Sequence, residues 1–295
     1  MTLLIDGNSI AARAFFATHY NTDVFDERIF SNAFVKSLLH TLRSINGEDI
    51  IFCVDSKSWR KKIFPEYKEN RNALKNSVPY REYINCFEDI CADMKEMLPM
   101  EVLRKEPYEA DDLIAYFVRA MSAADLLIVS ADKDLRQYYN PPKVQIFNQA
   151  ENRIEKIADV KEFLQILICT GDASDNIPSL VPKKPDGKAK FRFGEKTVPE
   201  YISWTGPCGL SAKFWKKLTE AEQDIFLDEY DRNRRLIDLD MSPIHGDFIP
   251  FPIAKKYDSF KVEKFFRRYM NSMYETQGEY IQELFSTYGG QNENY

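Results

Sequence analysis

Residues 125 to 135 read DLLIVSADKDL: an unbroken branched apolar run from Leu126 to Val129, then Ser130, and then two aspartates, Asp132 and Asp134. A short run with no polar alternation is the pattern of a strand buried on both faces, as in a parallel sheet. Two other stretches share the form, TLLID (residues 2 to 6) and DIIFCVD (49 to 55), each ending on an aspartate. MEVL (100 to 103) reads as a weaker strand, and KVQIFN (143 to 148) is expected to close the sheet. Between them lie helical patterns: Ile29, Phe30, Ala33, Phe34, Leu38, Leu39 and Leu42 recur at helical spacing, and YEADDLIAYFVRAM starts a helix just after Pro107. Strand and helix alternate through about residue 155, which predicts an α/β domain over 1–155. Asp6, Asp55 and the Asp132/Asp134 pair all follow strands, and ligands of open parallel sheets bind outside the carboxyl ends of strands.

Beyond residue 155 the pattern turns helical, giving an expected second region over 156–295. DVKEFLQILICTG (159 to 171) is one helix, with others around 210 to 240 and 258 to 286, and the GGQNENY tail is expected to fray. Between the first two lies TGDASDNIPSLVPKKPDGKAKFRFGEKT, Thr170 to Thr197, an acidic pair followed by a basic loop broken by Pro and Gly.

Composition narrows the function classes. The five cysteines are irregularly spaced with no Cys-x-x-Cys, which favours buried thiols in a reducing compartment over a disulfide framework or zinc site. The three histidines lie far apart, which disfavours histidine-activated nucleophiles. No apolar run approaches the ~20 residues that cross a bilayer, so the expectation is a soluble, cytoplasmic chain without a secretion signal or membrane partner.

Nine acids stand at strand ends, helix starts or turns: Asp6, Asp55, Glu109, Asp111, Asp112, Asp132, Asp134, Asp172 and Asp175. Taken singly, each reads as an ordinary turn or N-cap residue. Together, where a parallel sheet gathers them, they need cations. All-oxygen ligation points to hard ions, two Mg²⁺ with Mn²⁺ able to substitute, and such ions favour phosphate-bearing substrates. Two ions about 4 Å apart can activate a water and stabilise the leaving oxygen of an in-line displacement.

The chain carries a net charge of −6, yet setting those nine acids aside turns the balance of the rest positive. The basic residues cluster: 57 to 81 has eight Lys/Arg against two Glu, interleaved with Trp59, Phe64, Tyr67 and Tyr80, and 183 to 196 has six against two acids. Stacking combined with phosphate neutralisation is how single strands are held without sequence preference.

In combination and order, LLIDGNSIAARAFF, IIFCVDSKSWRKKIFPEYKENR, EADDLIAYF, LLIVSADKDL, GDASDNIP and EYDRNRRLIDLDMSP resemble the 5′-nuclease superfamily of flap endonucleases and 5′ to 3′ exonucleases. The likeness covers about residues 1 to 243 and is greatest to the phage branch, which includes the T-even phage ribonuclease H. The resemblance implies a PIN-like, resolvase-like parallel-sheet nuclease core with a helical arch at about 57–81. It also implies a mostly helical C-terminal part containing a modified helix-three-turn-helix at about 160–205. It implies that Asp6, Asp55, Glu109, Asp111, Asp112 and Asp132 hold a first metal ion and Asp134, Asp172 and Asp175 a second. Asp132 and Asp172 would be essential to catalysis. Lys68 and Arg71, three apart and so on one helical face, would stand near the scissile phosphate, and Arg13 would contact a further one.

In that family the helix-three-turn-helix grips the downstream duplex, often with a monovalent cation. Here a basic insertion, about Lys183 to Phe191, separates Pro182 from FGEKT, and of the usual glycines only Gly194 is plainly present. That leaves the monovalent cation open, with Lys183, Lys184, Lys188, Lys190, Arg192 and Lys196 as candidate phosphate contacts. The implied substrates are DNA and RNA/DNA duplexes with 5′ single-stranded ends, cut by a monomer during primer or flap removal. A sliding clamp and a single-strand-binding protein are the candidate protein partners, and QELFSTY (282 to 288) reads either as a clamp-binding tail or as an amphipathic helix end.

Two rival readings remain. A junction binder that has lost catalysis would gain nothing from concentrated negative charge beside DNA. A haloacid-type phosphatase would need a second Asp where the chain has Asn8.

Overall fold

The computed structural model describes residues 1–19, 24–184, 187–246 and 255–288, and its contacts divide into two compact units. The first comprises Met1–Lys57, Ala73–Glu155 and Ile244–Tyr295, and the second Ser58–Asn72 and Lys156–Pro243. Neither unit is continuous in sequence. The expected tail at 289–295 lies outside the described residues, as do Pro185 and Asp186 of the basic insertion.

The first unit opens with β1 (Thr2–Asp6), α1 (Gly7–Thr18), α2 (Glu27–Ser44) and β2 (Asp49–Val54). After the short α3 (Asn72–Lys75) come α4 (Val78–Met97), β3 (Glu101–Arg104), α5 (Ala110–Ala120), β4 (Leu126–Val129), β5 (Val144–Asn148) and β6 (Arg153–Ile154). The sheet order is β3-β2-β1-β4-β5-β6. The first five strands run parallel and β6 pairs antiparallel with β5, so β6, and not the expected KVQIFN strand, closes the sheet. Two exposed residues following a turn leave no strand signal. The order reverses between β1 and β4, and a crevice opens at such a switch point beyond the strand ends.

In the second unit, α6 (Val160–Thr170), α7 (Ala212–Trp215) and α8 (Glu220–Ile237) surround two apolar clusters. One gathers Phe193, Tyr201, Phe214 and Phe226; the other packs Tyr67 with Leu167, Ile168, Ile177, Leu236 and Ile237. Tyr67, with Ile63 and Phe64, is why residues 58–72 belong to this unit. Across the expected arch, 57–81, the chain forms two 3-10 turns, Trp59–Lys62 and Glu69–Arg71, with Pro65 between them, and then α3 and the first turn of α4. Over residues 160–205, where a helix-three-turn-helix is expected, α6 is followed by two 3-10 turns, Ala173–Asp175 and Val198–Tyr201, the second with Pro199 as its second residue.

The last helix, α9 (Ser259–Ser286), returns the chain to the first unit, where Val262, Phe265, Phe266 and Met270 join a core with Phe30, Phe34, Leu38 and Phe87. Leu3 and Ile5 of β1 and Phe52 of β2 face the same core, while Leu4, Ile51 and Cys53 are buried between them in sequence. That continuous burial is the signature of a sheet covered on both faces. Ile281, Phe285 and Tyr288 are buried in the core, so QELFSTY is a packed helix end.

Candidate active site

At the switch point of the first unit, Asp6 ends β1 and caps α1, its Oδ1 accepting from Ser9 N at 3.0 Å. Its Oδ2 accepts from Ser130 Oγ at 2.7 Å, from just beyond β4. Ser130 Oγ in turn accepts from Asp132 N at 2.9 Å, and Asp132 Oδ1 accepts from Asp134 N at 2.9 Å. On the other side of β1, Asn8 Oδ1 accepts from Asp55 N at 2.7 Å, and Asp55 Oδ1 accepts from Ala110 N at 2.8 Å at the start of α5. This chain of short bonds ties the ends of β1, β2 and β4 to the N-terminus of α5. Asn8, Ser9 and Ser130 do the tying, and sequence reasoning missed them because short polar residues after strands are ordinary turn formers.

The N-terminus of α5 carries the other acids of this unit. Glu109 and Asp112 are buried, Asp111 is half-buried, and one ligand atom from each lies within 4.8 Å of the others, an arrangement able to hold a metal ion. Asp112 Oδ2 accepts from Glu109 N at 3.0 Å, so part of this charge also serves as a helix cap. The positive ends of α1 and α5 moderate the negative charge, yet do not cancel it. The Asp6 carboxyl is pushed from its ordinary 3.8 up to about 7, first by burial and then by the Asp55 charge, with Asp132 adding to both.

Asp172 and Asp175 belong to the second unit and share one tight turn. Asp172 is buried and caps the 3-10 turn Ala173–Asp175, its Oδ1 accepting from Ser174 N at 2.7 Å. Paired bonds between Asp172 and Ile177 close the loop at 2.8 and 3.0 Å, and Gly171 enters it at φ 68°. Lys68 and Arg71 do not share a helical face. Lys68 sits at φ 56° before the 3-10 turn, and both cations pair with Asp175.

The other basic candidates are distributed as follows. Arg13 Nη1 donates to Gln149 O at 2.6 Å, which holds it to the loop after β5. The described flanks of the insertion pair as in a hairpin: Lys184 N donates to Lys188 O and Lys190 N to Pro182 O, both at 2.7 Å, and Gly187 takes φ 79°. Lys183, Lys184, Lys188, Arg192 and Lys196 are exposed. Lys190 turns to the Glu222 carboxylate at 2.6 and 2.9 Å, and the flanking Phe191 and Phe193 anchor the hairpin against Phe214. The Gly194 carbonyl accepts from Thr197 N at 2.8 Å and Val198 N at 2.9 Å.

Curated relatives and solved structures agree with this architecture. A 5′-3′ exonuclease of Buchnera aphidicola is 32% identical over 198 residues, spanning 61% of this chain and 65% of that protein, so the match spans somewhat under two thirds of its length. Ribonuclease H of phage T4 is 26% identical over 238 residues, 77% of this chain and 75% of its own. The fold resembles a bacteriophage T5 protein co-crystallised with metal ions, with a TM-score of 0.59 at 18% identity, covering 96% of this chain and 98% of that one. A related T5 structure is described as a flap endonuclease complex with DNA and metal ions, with a TM-score of 0.57 at 19% identity, covering 96% of this chain and 99% of that one. The family model described as 5′-3′ exonuclease, N-terminal resolvase-like domain, matches residues 1–167, more than half of the chain, and the protein belongs to that family.

Proposed function

We propose that this protein is a divalent-metal-dependent 5′ nuclease that hydrolyses phosphodiester bonds at 5′ ends or flaps of DNA or RNA/DNA duplexes, as in primer or flap removal. The carrying observation is the charge at the switch point. Asp6 stays high, near 7, although Ser130 and Ser9 both donate to it. A buried carboxylate flanked by like charges calls for a cation, and an all-oxygen donor set without His or Cys suits Mg²⁺, or Mn²⁺ in its place. The names of the relatives, exonuclease and ribonuclease H, support the same reaction class.

On this reading Asp6, Asp55, Glu109, Asp111, Asp112, Asp132, Asp134, Asp172 and Asp175 hold two divalent ions. When bound, such ions lower the pKa of a water and neutralise the departing oxygen. Ser130, Ser9 and Asn8 orient the carboxylates of Asp6 and Asp55. Lys68 and Arg71 offset charge on the scissile phosphate, Arg13 meets a neighbouring one, and Lys183, Lys184, Lys188, Arg192 and Lys196 grip the duplex backbone. Lys190 serves through Glu222, fixing the hairpin that presents the other lysines.

The test is cleavage of a 5′-labelled flap duplex, with RNA or DNA in the flap, in Mg²⁺ or Mn²⁺. Retained duplex binding with no cleavage in either ion would leave only a junction binder. Asp132→Asn and Asp172→Asn should abolish cleavage while binding persists. Lys68→Ala is expected to slow cleavage by about 10²-fold, in the range of one lost charge-stabilising donor, while duplex affinity changes less than about threefold. Matching losses in both would mean that Lys68 merely neutralises phosphate.

Ion loading should also register in stability. An acid whose folded pKa is raised contributes stability that is whole below its unfolded value and lost as pH rises through the folded one. For Asp6 that window runs from 3.8 to about 7. The metal-free protein should therefore weaken from pH 5 towards pH 8, and Mg²⁺ should raise the melting temperature more at pH 8 than at pH 5. An equal shift at both, measured by scanning calorimetry, would contradict ion binding beside Asp6.

A further inference from the structure

One side of α2 carries exposed polar residues at helical spacing: Arg28, Asn32, Lys36 and His40 stand four apart, and Arg43 follows three further on. Residues three and four apart share a helix face, so the five form a single stripe. From Arg28 to Arg43 it runs about 22 Å along the helix axis. Beside it lies a groove between α2 and α9, both in the first unit, in two stretches of about 720 and 430 Å³ that share Ala33 and Lys36. α9 leaves helical geometry at Met270 (φ −148°, ψ 47°) and again at Gln277 (φ −130°, ψ 15°), and one of these breaks lines each stretch.

The rim and the floor of this groove differ in chemistry. Arg267 and Arg268 of α9 line the wider stretch together with Arg28 and Lys36, and no carboxylate is among the described residues lining either stretch. Arg267 pairs with Glu263 and Arg268 with Asp93, both at 2.6 Å, whereas Arg28 and Lys36 form no ion pair among the described residues. Arg43 Nη2 donates to Gln277 Oε1 at 2.8 Å in the narrower stretch. The floor is apolar, made by Ile29, Ala33, Leu39 and Met273, and Ile29 is 52% exposed. A phosphate backbone would use the cations and leave the floor idle. Cations about 10 to 12 Å apart along the stripe are also sparse beside a duplex that carries one charge per ~1.7 Å. A peptide that alternates carboxylates with aliphatic side chains uses both parts, its apolar face seated between the helices and its acids against the rim. Methionine is an adaptable contact for such a face. We propose that the groove between α2 and α9 docks an acidic amphipathic helix of a protein partner. The proposal goes beyond the nuclease reading and does not depend on it.

The test uses the full chain and a fluorescein-labelled peptide helix of about 16 residues, enough to span the stripe, with Glu on one face and Leu on the other. Its binding is followed by anisotropy beside a second peptide in which Gln replaces every Glu. The Glu peptide should bind with a Kd of about 10 μM, and the Gln peptide roughly tenfold more weakly. Arg28→Glu combined with Lys36→Glu should weaken the Glu peptide by about tenfold, with Lys36→Gln between that variant and wild type. Met273→Ser should cost about fivefold through lost apolar contact. Melting temperature and affinity for a DNA duplex should match wild type in all three variants. The Glu peptide should also slow amide exchange within residues 28–43 and 267–277. No binding of the Glu peptide, equal binding of the two peptides, or protection confined to other segments would overturn the proposal. So would a loss of duplex affinity in the double variant equal to its loss of peptide affinity, which would make the groove a nucleic-acid surface. A protein that cleaves no flap in any divalent ion would overturn the nuclease reading and leave these binding results standing.

Discussion

An Asp55→Asn variant is expected to lose flap cleavage by roughly 10³-fold, about 4 kcal/mol of transition-state stabilisation, while its metal-free form becomes more stable at pH 8. The two changes have opposite signs because one charge serves both states. Among its charged neighbours, Asp55 does most to raise the Asp6 carboxyl. Replacing it with Asn leaves an oxygen able to accept from Ala110 N, so the link to α5 survives. At pH 8 Asp6 is ionised, and removing its neighbour relieves repulsion; at pH 5 Asp6 is protonated and the gain is smaller. Denaturant melts of metal-free protein at both pH values, paired with cleavage rates in Mg²⁺, check this directly. A variant less stable than wild type at pH 8 would mean that Asp55 acts chiefly as a turn residue.

Gly171→Ala is expected to destabilise the second unit by roughly 3 kcal/mol and to remove cleavage with it. Gly171 takes φ 68°, and an added Cβ would stand 2.4 Å from Ile177 O and 2.5 Å from Pro178 O. Those oxygens are backbone, in a loop already closed by the Asp172–Ile177 bonds, so they cannot swing aside. The control is Gly187→Ala in the hairpin, where φ is 79° but nothing lies within 4 Å. There the cost should be about 1 kcal/mol of backbone strain, and cleavage should survive. Equal losses in the two variants would show that conformation alone, and not the crowding at Ile177 and Pro178, sets the effect.

The sheet was legible because the strands buried on both faces leave continuous apolar runs, and a strand ending at a binding crevice leaves its aspartate as the next polar letter. Asp6 at the end of β1 and Asp55 after β2 are that next polar letter, whereas Asp132 follows β4 behind Ser130 and Ala131. The Glu109–Asp112 cluster was visible because three acids begin one helix. Other features left no local trace. Lys68 and Arg71 look like a helical pair at spacing three, but Lys68 is left-handed, and its backbone N–H donates to the carbonyl oxygen of Asp175, 107 residues away in the chain. Lys190 reads as one more phosphate contact, although its ammonium is committed to Glu222 across 32 positions. Such pairings are decided by what folding brings together, and no periodicity encodes them.

The interleaving of the two units bears on how the chain comes to be folded. Tyr67 meets Asp175 across 108 positions, and Arg43 meets Gln277 across 234. During synthesis the 58–72 segment emerges long before the helices that bury Ile63, Phe64 and Tyr67, and the sheet's core waits for α9 at the far end. Loop closure over such spans slows folding, and a chain stopped after α8 would leave Phe30, Phe34 and Phe87 without Val262, Phe265 and Phe266 beside them. Neither unit is encoded by one continuous stretch, so a fragment of residues 156–243 lacks part of its own interior. The nascent chain therefore commits to this structure late, once α9 has left the ribosome.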